Sequence, residues 1–186
     1  GAADGYVVGA ITGLVEGTVS AVNVVKNAQK VIDTAGGTKT ILNGNVYDEK
    51  GKLIGKYLGD YPYPTRNMTK VGTVHNGVPY EWQLVNDAKG NFYKAVMPRF
   101  EGATIKMPES MQFLGRAKHN EYILKVLNSP ELCAKNGISP KQAKQLLAHW
   151  DEYTIHHLGE RNMVQIVDSE VHSLAGHTGG YALWGK

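Results

Sequence analysis

Apolar positions change their spacing along the chain. From Gly1 to about Ala35 glycine recurs at every fourth residue (Gly1, Gly5, Gly9, Gly13, Gly17), with Val7, Val8, Ile11, Leu14 and Val15 between. Residues four apart share a helix face, so this spacing predicts a glycine-faced helix that runs to about Asp33 and stops at Ala35-Gly36-Gly37. From about 38 to 105, short β-branched and aromatic runs alternate with turn signals at Asn43-Gly44, Asp48 to Gly51, Asn76-Gly77 and Asp87 to Asn91. Two-residue Asn-Gly loops between such runs are hairpin signals, and a small antiparallel sheet is expected. Beyond about 106 the apolar period becomes helical. Pro108 opens a helix through Leu127 that includes Phe113, Ser129-Pro130 opens a short second one, and Ser139-Pro140 opens a third that buries Ala143, Leu146, Leu147 and Trp150.

The pattern then switches once more. Tyr153 to Leu158 is suited to a strand, Gly159 to Asn162 to a tight turn, and Met163 to Val167 to a second strand. Asp168 or Ser169 caps a short helix over Glu170 to Ala175, which Gly176 ends. The expected fold is α+β in three segments: a glycine-zipper helix or lead-in at 1–37, a small β region at 38–105, and a helical region at 106–186. A strand-turn-strand-helix unit occupies 150–181 of the last segment.

That unit holds the chemistry. Five of the seven histidines lie between His149 and His177. Imidazole both exchanges a proton near neutral pH and ligates transition metals. His156 and His157 fall at the end of the first strand, His172 on the helix, and His177 just past its glycine stop, where the chain can bend back. Core packing does not ask for such a cluster. His149, beside Trp150 on the third helix, is explained by packing and is set aside.

Composition narrows the reading. The net charge of +3 is spread evenly, with ten Lys/Arg and eight Asp/Glu before Met97, and ten and nine from there on. A broad basic nucleic-acid surface is thereby excluded, and any phosphate binding rests on local groups. The single cysteine, Cys133, excludes a disulfide framework and a Cys-rich zinc site, and is expected to be a buried inert thiol. No basic, apolar leader opens the chain, and the start without Met suggests an excised portion of a longer polypeptide. Glu16 interrupts the N-terminal apolar run, so a packing helix is favoured over a membrane span. Transient membrane contact by residues 1–25 is the alternative.

The unit resembles the HNH and endonuclease VII superfamily of nucleases, whose core is the ββα-metal unit. It is most similar to the bacterial polymorphic-toxin branch with a His-His pair after an aromatic-containing strand. The resemblance rests on His156-His157, the strand Met163-Val164-Gln165-Ile166-Val167, the helix histidine His172, and His177-Thr178-Gly179-Gly180. It covers about 35 residues, in which order, spacing and flanking glycines all agree.

The resemblance implies a metal-dependent endonuclease, the C-terminal toxin module of a larger secreted effector delivered into the cytoplasm of a target cell. One divalent ion (Mg, Mn, Ni or Zn) is implied, with His156, His172 and His177 as ligands and His157 as base, the order within the His-His pair being open. Gln165, where the superfamily often has an asparagine, is expected to brace a loop. Arg161, in the turn between the strands, is a candidate phosphate clamp. Arg116, Lys118 and His119 form a polar helix face that is either a phosphate contact or simply solvated. The implied substrate is DNA cut without sequence preference, with RNA as the alternative, and the implied partner is a cognate, acidic immunity protein. Two rivals of other kinds stand beside this reading: a membrane-associating module whose histidines hold a structural metal, and a metal-binding interaction domain without turnover.

Overall fold

A computed structural model describes residues 6–9, 29–62 and 67–186. Its architecture is α+β, with eleven strands in two sheets and four α-helices among the described residues. Strands β1 (Tyr6–Gly9), β2 (Gln29–Thr34), β3 (Gly37–Leu42), β4 (Asn45–Tyr47) and β5 (Leu53–Asp60) follow one another antiparallel. The sheet continues through β6 (Val74–His75), β7 (Val78–Asn86) and β8 (Phe92–Pro98), in the order β1-β2-β3-β4-β5-β8-β7-β6. Among the described residues, only the β5–β8 pair is parallel. The expected small sheet is therefore an eight-stranded one.

Asn-Gly pairs make two of its two-residue turns. Asn43 and Gly44 join β3 to β4 with φ of 52° and 75°, and Asn76 and Gly77 join β6 to β7 with 51° and 79°. Positive φ at both loop residues is the geometry of a type I′ hairpin turn. His75 beside the second turn is exposed, as a turn residue should be.

The expected helix over 1–33 is corrected at both places where it can be read. Residues 6–9 and 29–34 are paired strands, and Gly36-Gly37 lies at the turn of the β2–β3 hairpin rather than at a helix end. Within Gln29–Thr34, Ile32 is buried while Lys30 and Asp33 are exposed. The rest of the glycine-zipper segment, including most of the stretch considered for membrane contact, lies outside the described residues. Among those described, no helix is long and apolar enough to cross a membrane.

The second sheet is β10 (Tyr153–His157), β11 (Met163–Asp168) and β9 (Thr104–Lys106), antiparallel in the order β10-β11-β9. Helices α1 (Gly115–Leu127), α2 (Pro130–Lys135) and α3 (Pro140–Ala148) pack beneath it, and α4 (Ser169–Leu174) follows β11 directly. Their starts are capped as the sequence indicated. Ser129 accepts from the Leu132 amide, Ser139 from Gln142 and Asp168 from Val171. The first helix begins later than expected. Glu109–Met111 forms a separate 3-10 turn, and the chain breaks at Phe113 and Gly115, both with positive φ, so Phe113 is half exposed instead of packed in the helix.

The main core joins this sheet to the helices through Ile105, Ile123, Val126, Leu146, Val164 and Ile166. Cys133 is buried within it. A second cluster, with Tyr80, Val96, Phe100, Val167 and Ala175, packs the first sheet against β11 and the segment after α4. A polar clasp ties the sheets together as well. The β10–β11 turn residue Glu160 accepts hydrogen bonds from Thr34 Oγ1 (3.1 Å) and the Gly36 amide (3.0 Å), and pairs with Lys39 at 3.4 Å.

Candidate active site

The β10–β11 hairpin and α4 bring three histidines together. His156 is the penultimate residue of β10, His172 lies on α4, and His177 lies on the returning chain beyond it. One ring nitrogen from each lies within 4.8 Å of the other two. The ring centroids are 4.8 Å apart for His156 and His177, 4.9 Å for His172 and His177, and 5.4 Å for His156 and His172. Phe100, which follows β8, packs its ring on all three and walls the cluster from the interior.

Hydrogen bonds orient the set. His177 Nδ1 donates to the Ala175 carbonyl at 2.6 Å, which leaves Nε2 as the ligating atom when the ring is neutral. That Nε2 faces His156 Nδ1 at 3.2 Å. Burial, reinforced by His177, His172 and His157, pushes His156 down from 6.5 to about 2. Burial, with His177 and Arg116, pushes His172 down to about 4. Both rings are therefore neutral at pH 7, the state in which imidazole binds a metal.

Neighbours on a strand point to opposite faces, and the hairpin keeps that rule. His157 turns away from the triad toward α1, where its Nε2 lies 2.8 Å from His119 Nδ1. Burial, then His119 and Arg116, lower His157 to about 3. The Gly179-Gly180 pair lets the chain after His177 lie close against the end of β10. The Gly180 amide donates to the His157 carbonyl at 2.9 Å, and a Cβ at Gly180 would collide with the Leu158 carbonyl. Trp184, fully buried, closes the same corner with an indole N–H to the Leu158 carbonyl at 2.9 Å.

Two of the expected phosphate contacts are relocated. Arg161 borders a cleft with Lys39, Glu49, Asn86 and Lys106 in which no histidine takes part. Its backbone is held by Asn86, because the β10–β11 turn points toward the first sheet. His119 is completely buried and points into the core, so it does not belong to a solvated face. Arg116 and Lys118 are exposed. Lys118 pairs with Glu121 at 3.2 Å, whereas the Arg116 guanidinium lies 4.1 Å above the Tyr181 ring. Tyr181 in turn packs on His157, with centroids 5.0 Å apart. Arg116 is thus the arginine whose charge reaches both His157 and His172. His149 lies apart, exposed and paired with Glu152. Gln165 is buried and donates to the carbonyls of Phe100 (2.9 Å) and Gly102 (3.3 Å), which fixes the turn that carries the aromatic wall.

Phe100, Tyr181 and Trp184 carried no readable signal, since nothing local marks an aromatic as the neighbour of a distant histidine. His119 did carry one. It shares a helical stripe with the buried Ile123, Val126 and Leu127.

Comparison with curated proteins and with solved structures finds no match. A family model does match: the DNase/tRNase domain of colicin-like bacteriocin, over residues 85–179. That span covers just over half of the chain and contains His119 and the whole histidine cluster. The chain therefore belongs to the family of DNase/tRNase domains of colicin-like bacteriocins and is a nuclease toxin domain.

Proposed function

We propose that the domain is a metal-dependent endonuclease that hydrolyses DNA with little sequence preference, its catalytic module being residues 106–186 with a ββα-metal core at 150–181. The observation that carries the proposal is the convergence of three imidazole nitrogens, with a fourth histidine beside them on the opposite strand face. The donor set suits one divalent ion. Three imidazoles form an open site, whereas structural zinc sites are closed and favour cysteine. His156, His172 and His177 would hold the ion. When bound, it supplies positive charge for the phosphoryl and leaving oxygens.

The chain's own groups perform the remaining tasks. Arg116, braced on Tyr181, meets the phosphate at the mouth of the site. His157, neutral at pH 7, takes the proton of the attacking water. An incoming phosphate offsets the charge of Arg116, one cause of the low His157 pKa, and so moves this base toward the working range. The Phe100 wall keeps bulk water from the inner side of the triad. Base-reading elements play no part in this scheme, which is why little sequence preference is proposed.

The family spans enzymes that cut DNA and enzymes that cut tRNA, so the substrate is decided by experiment. Supercoiled plasmid and total RNA are incubated separately with the protein and Mg²⁺, Mn²⁺, Ni²⁺ or Zn²⁺, with EDTA controls. Nicking of plasmid that EDTA abolishes is expected. Cleavage of RNA alone replaces the DNase assignment, and cleavage that persists in EDTA removes the metal. A producing cell also needs protection, and an acidic immunity protein fits a domain of charge +3. As a bacteriocin-type toxin, the domain would act after delivery into a target cell.

A further inference from the structure

Behind His157 lies a hydrogen-bonded chain that the proposed reaction has not yet used. His119 Nε2 is 2.6 Å from the Met111 carbonyl oxygen, and His119 Nδ1 is 2.8 Å from His157 Nε2. A carbonyl oxygen only accepts, so His119 Nε2 carries hydrogen. In its one-N–H form His119 then presents a lone pair at Nδ1. The partner across 2.8 Å must donate, so hydrogen sits on His157 Nε2. His157 Nδ1 is consequently bare.

We infer that His119 is a positioning residue which, anchored on the Met111 carbonyl, locks His157 in the Nε2–H tautomer and leaves its Nδ1 as the lone pair that serves as base. The inference rests on the proposed role of His157 as base. The scaffold for it is rigid. His119 is fully buried on α1 one turn after Arg116, and Met111 ends the 3-10 turn just before that helix. Trp184 packs against both rings. Among the described residues no carboxylate pairs with either ring. A backbone carbonyl and a second imidazole thus take the place that an aspartate holds in the Ser-His-Asp arrangement.

The proton count closes without a relay. The water oxygen bonds to phosphorus as the bond to the leaving oxygen breaks with its electron pair. The water proton moves to His157 Nδ1. The Nε2–H stays in its bond to His119, so no proton passes beyond His157, and Nδ1 later returns its proton to solvent or to the leaving oxygen. Without an acceptor at His119, neutral His157 divides between two tautomers, one of which has no lone pair at Nδ1.

The test is spectroscopic and needs no catalysis. Histidine ¹⁵N-labelled, metal-free wild-type protein is examined by long-range ¹H–¹⁵N correlation. Hydrogen on His157 Nε2 with a bare Nδ1 is expected. Hydrogen on His157 Nδ1, or on both nitrogens of His119, overturns the inference. Two variants extend the test. His119→Asn keeps an acceptor near the Nδ1 position and should retain the tautomer and kcat to within about tenfold. His119→Phe removes the acceptor and should mix the tautomers and lower kcat further than His119→Asn does, with KM little changed. An unchanged tautomer and kcat in a folded His119→Phe protein overturns the inference. Wild-type protein that cleaves no nucleic acid would remove the nuclease reading, while the tautomer is still read from the spectrum.

Discussion

Acid should weaken the metal-free protein at a rate set by its buried histidines. His156 and His157 are held near 2 and 3 by burial and by neighbouring rings, whereas the same side chains in the unfolded chain titrate near 6.5. Above pH 6.5 both states carry neutral rings and stability is independent of these groups. Below it the unfolded chain binds protons that the folded one refuses, so stability falls as pH falls, down to the folded values. Between pH 7 and 5 each such ring costs about 2 kcal/mol, which gives about 4 kcal/mol for the two. His172, half buried, adds a smaller share of the same sign. Urea unfolding in EDTA at half-unit pH steps measures this as a falling midpoint at constant slope. A divalent ion at 100 times its Kd should restore about 2.7 kcal/mol near neutrality, and less as protons compete for the ligands. A midpoint that stays level from pH 7 to 5 would show that the rings are not buried as described.

Three further outcomes follow from the site and its supports. Arg116→Ala should lower kcat/KM for nucleic acid by about 10- to 100-fold, the worth of one hydrogen bond to a charged group, while Arg161→Ala stays within about twofold in the same cleavage assay. Gly180→Ala should cost at least about 2 kcal/mol in urea unfolding, because the added Cβ meets the Leu158 carbonyl and pushes the Gly180 amide off His157. Glu160→Ala should cost about 2–4 kcal/mol by the same measurement, since Lys39 and the Gly36 amide lose their buried acceptor.

The strand-turn-strand-helix unit was legible because each boundary is written locally. Gly159 marks the turn, Asp168 caps the helix, and the change from β-branched residues to Ser169-Glu170 switches the period. The histidine triad followed from that unit, since all three members lie within it. His119 and Arg116 did not follow. They come from a helix some 40 residues earlier; its apolar stripe marks His119 as buried, but only tertiary packing sets it behind His157 and braces Arg116 on Tyr181. Arg161 looked better placed because it is near in sequence, yet its turn faces the other sheet. At the N-terminus, glycine every fourth residue imitates a helical stripe, but the cross-strand pairing of β1 with β2 and of β2 with β3 prevails where the chain is described. Strand β9 is only three residues long and takes its pairing from β11, so its own sequence holds almost no signal.

In the proposed reaction, labour is divided between a metal-holding triad and a separate base. One paired measurement tests it: calorimetric titration with Zn²⁺ and cleavage of plasmid and RNA, each on wild type, His157→Ala and His172→Ala. His157→Ala should bind one equivalent with near wild-type affinity yet cleave at most about one per cent as fast, and His172→Ala should lose both. Cleavage retained in His157→Ala, or binding abolished there and intact in His172→Ala, would contradict it.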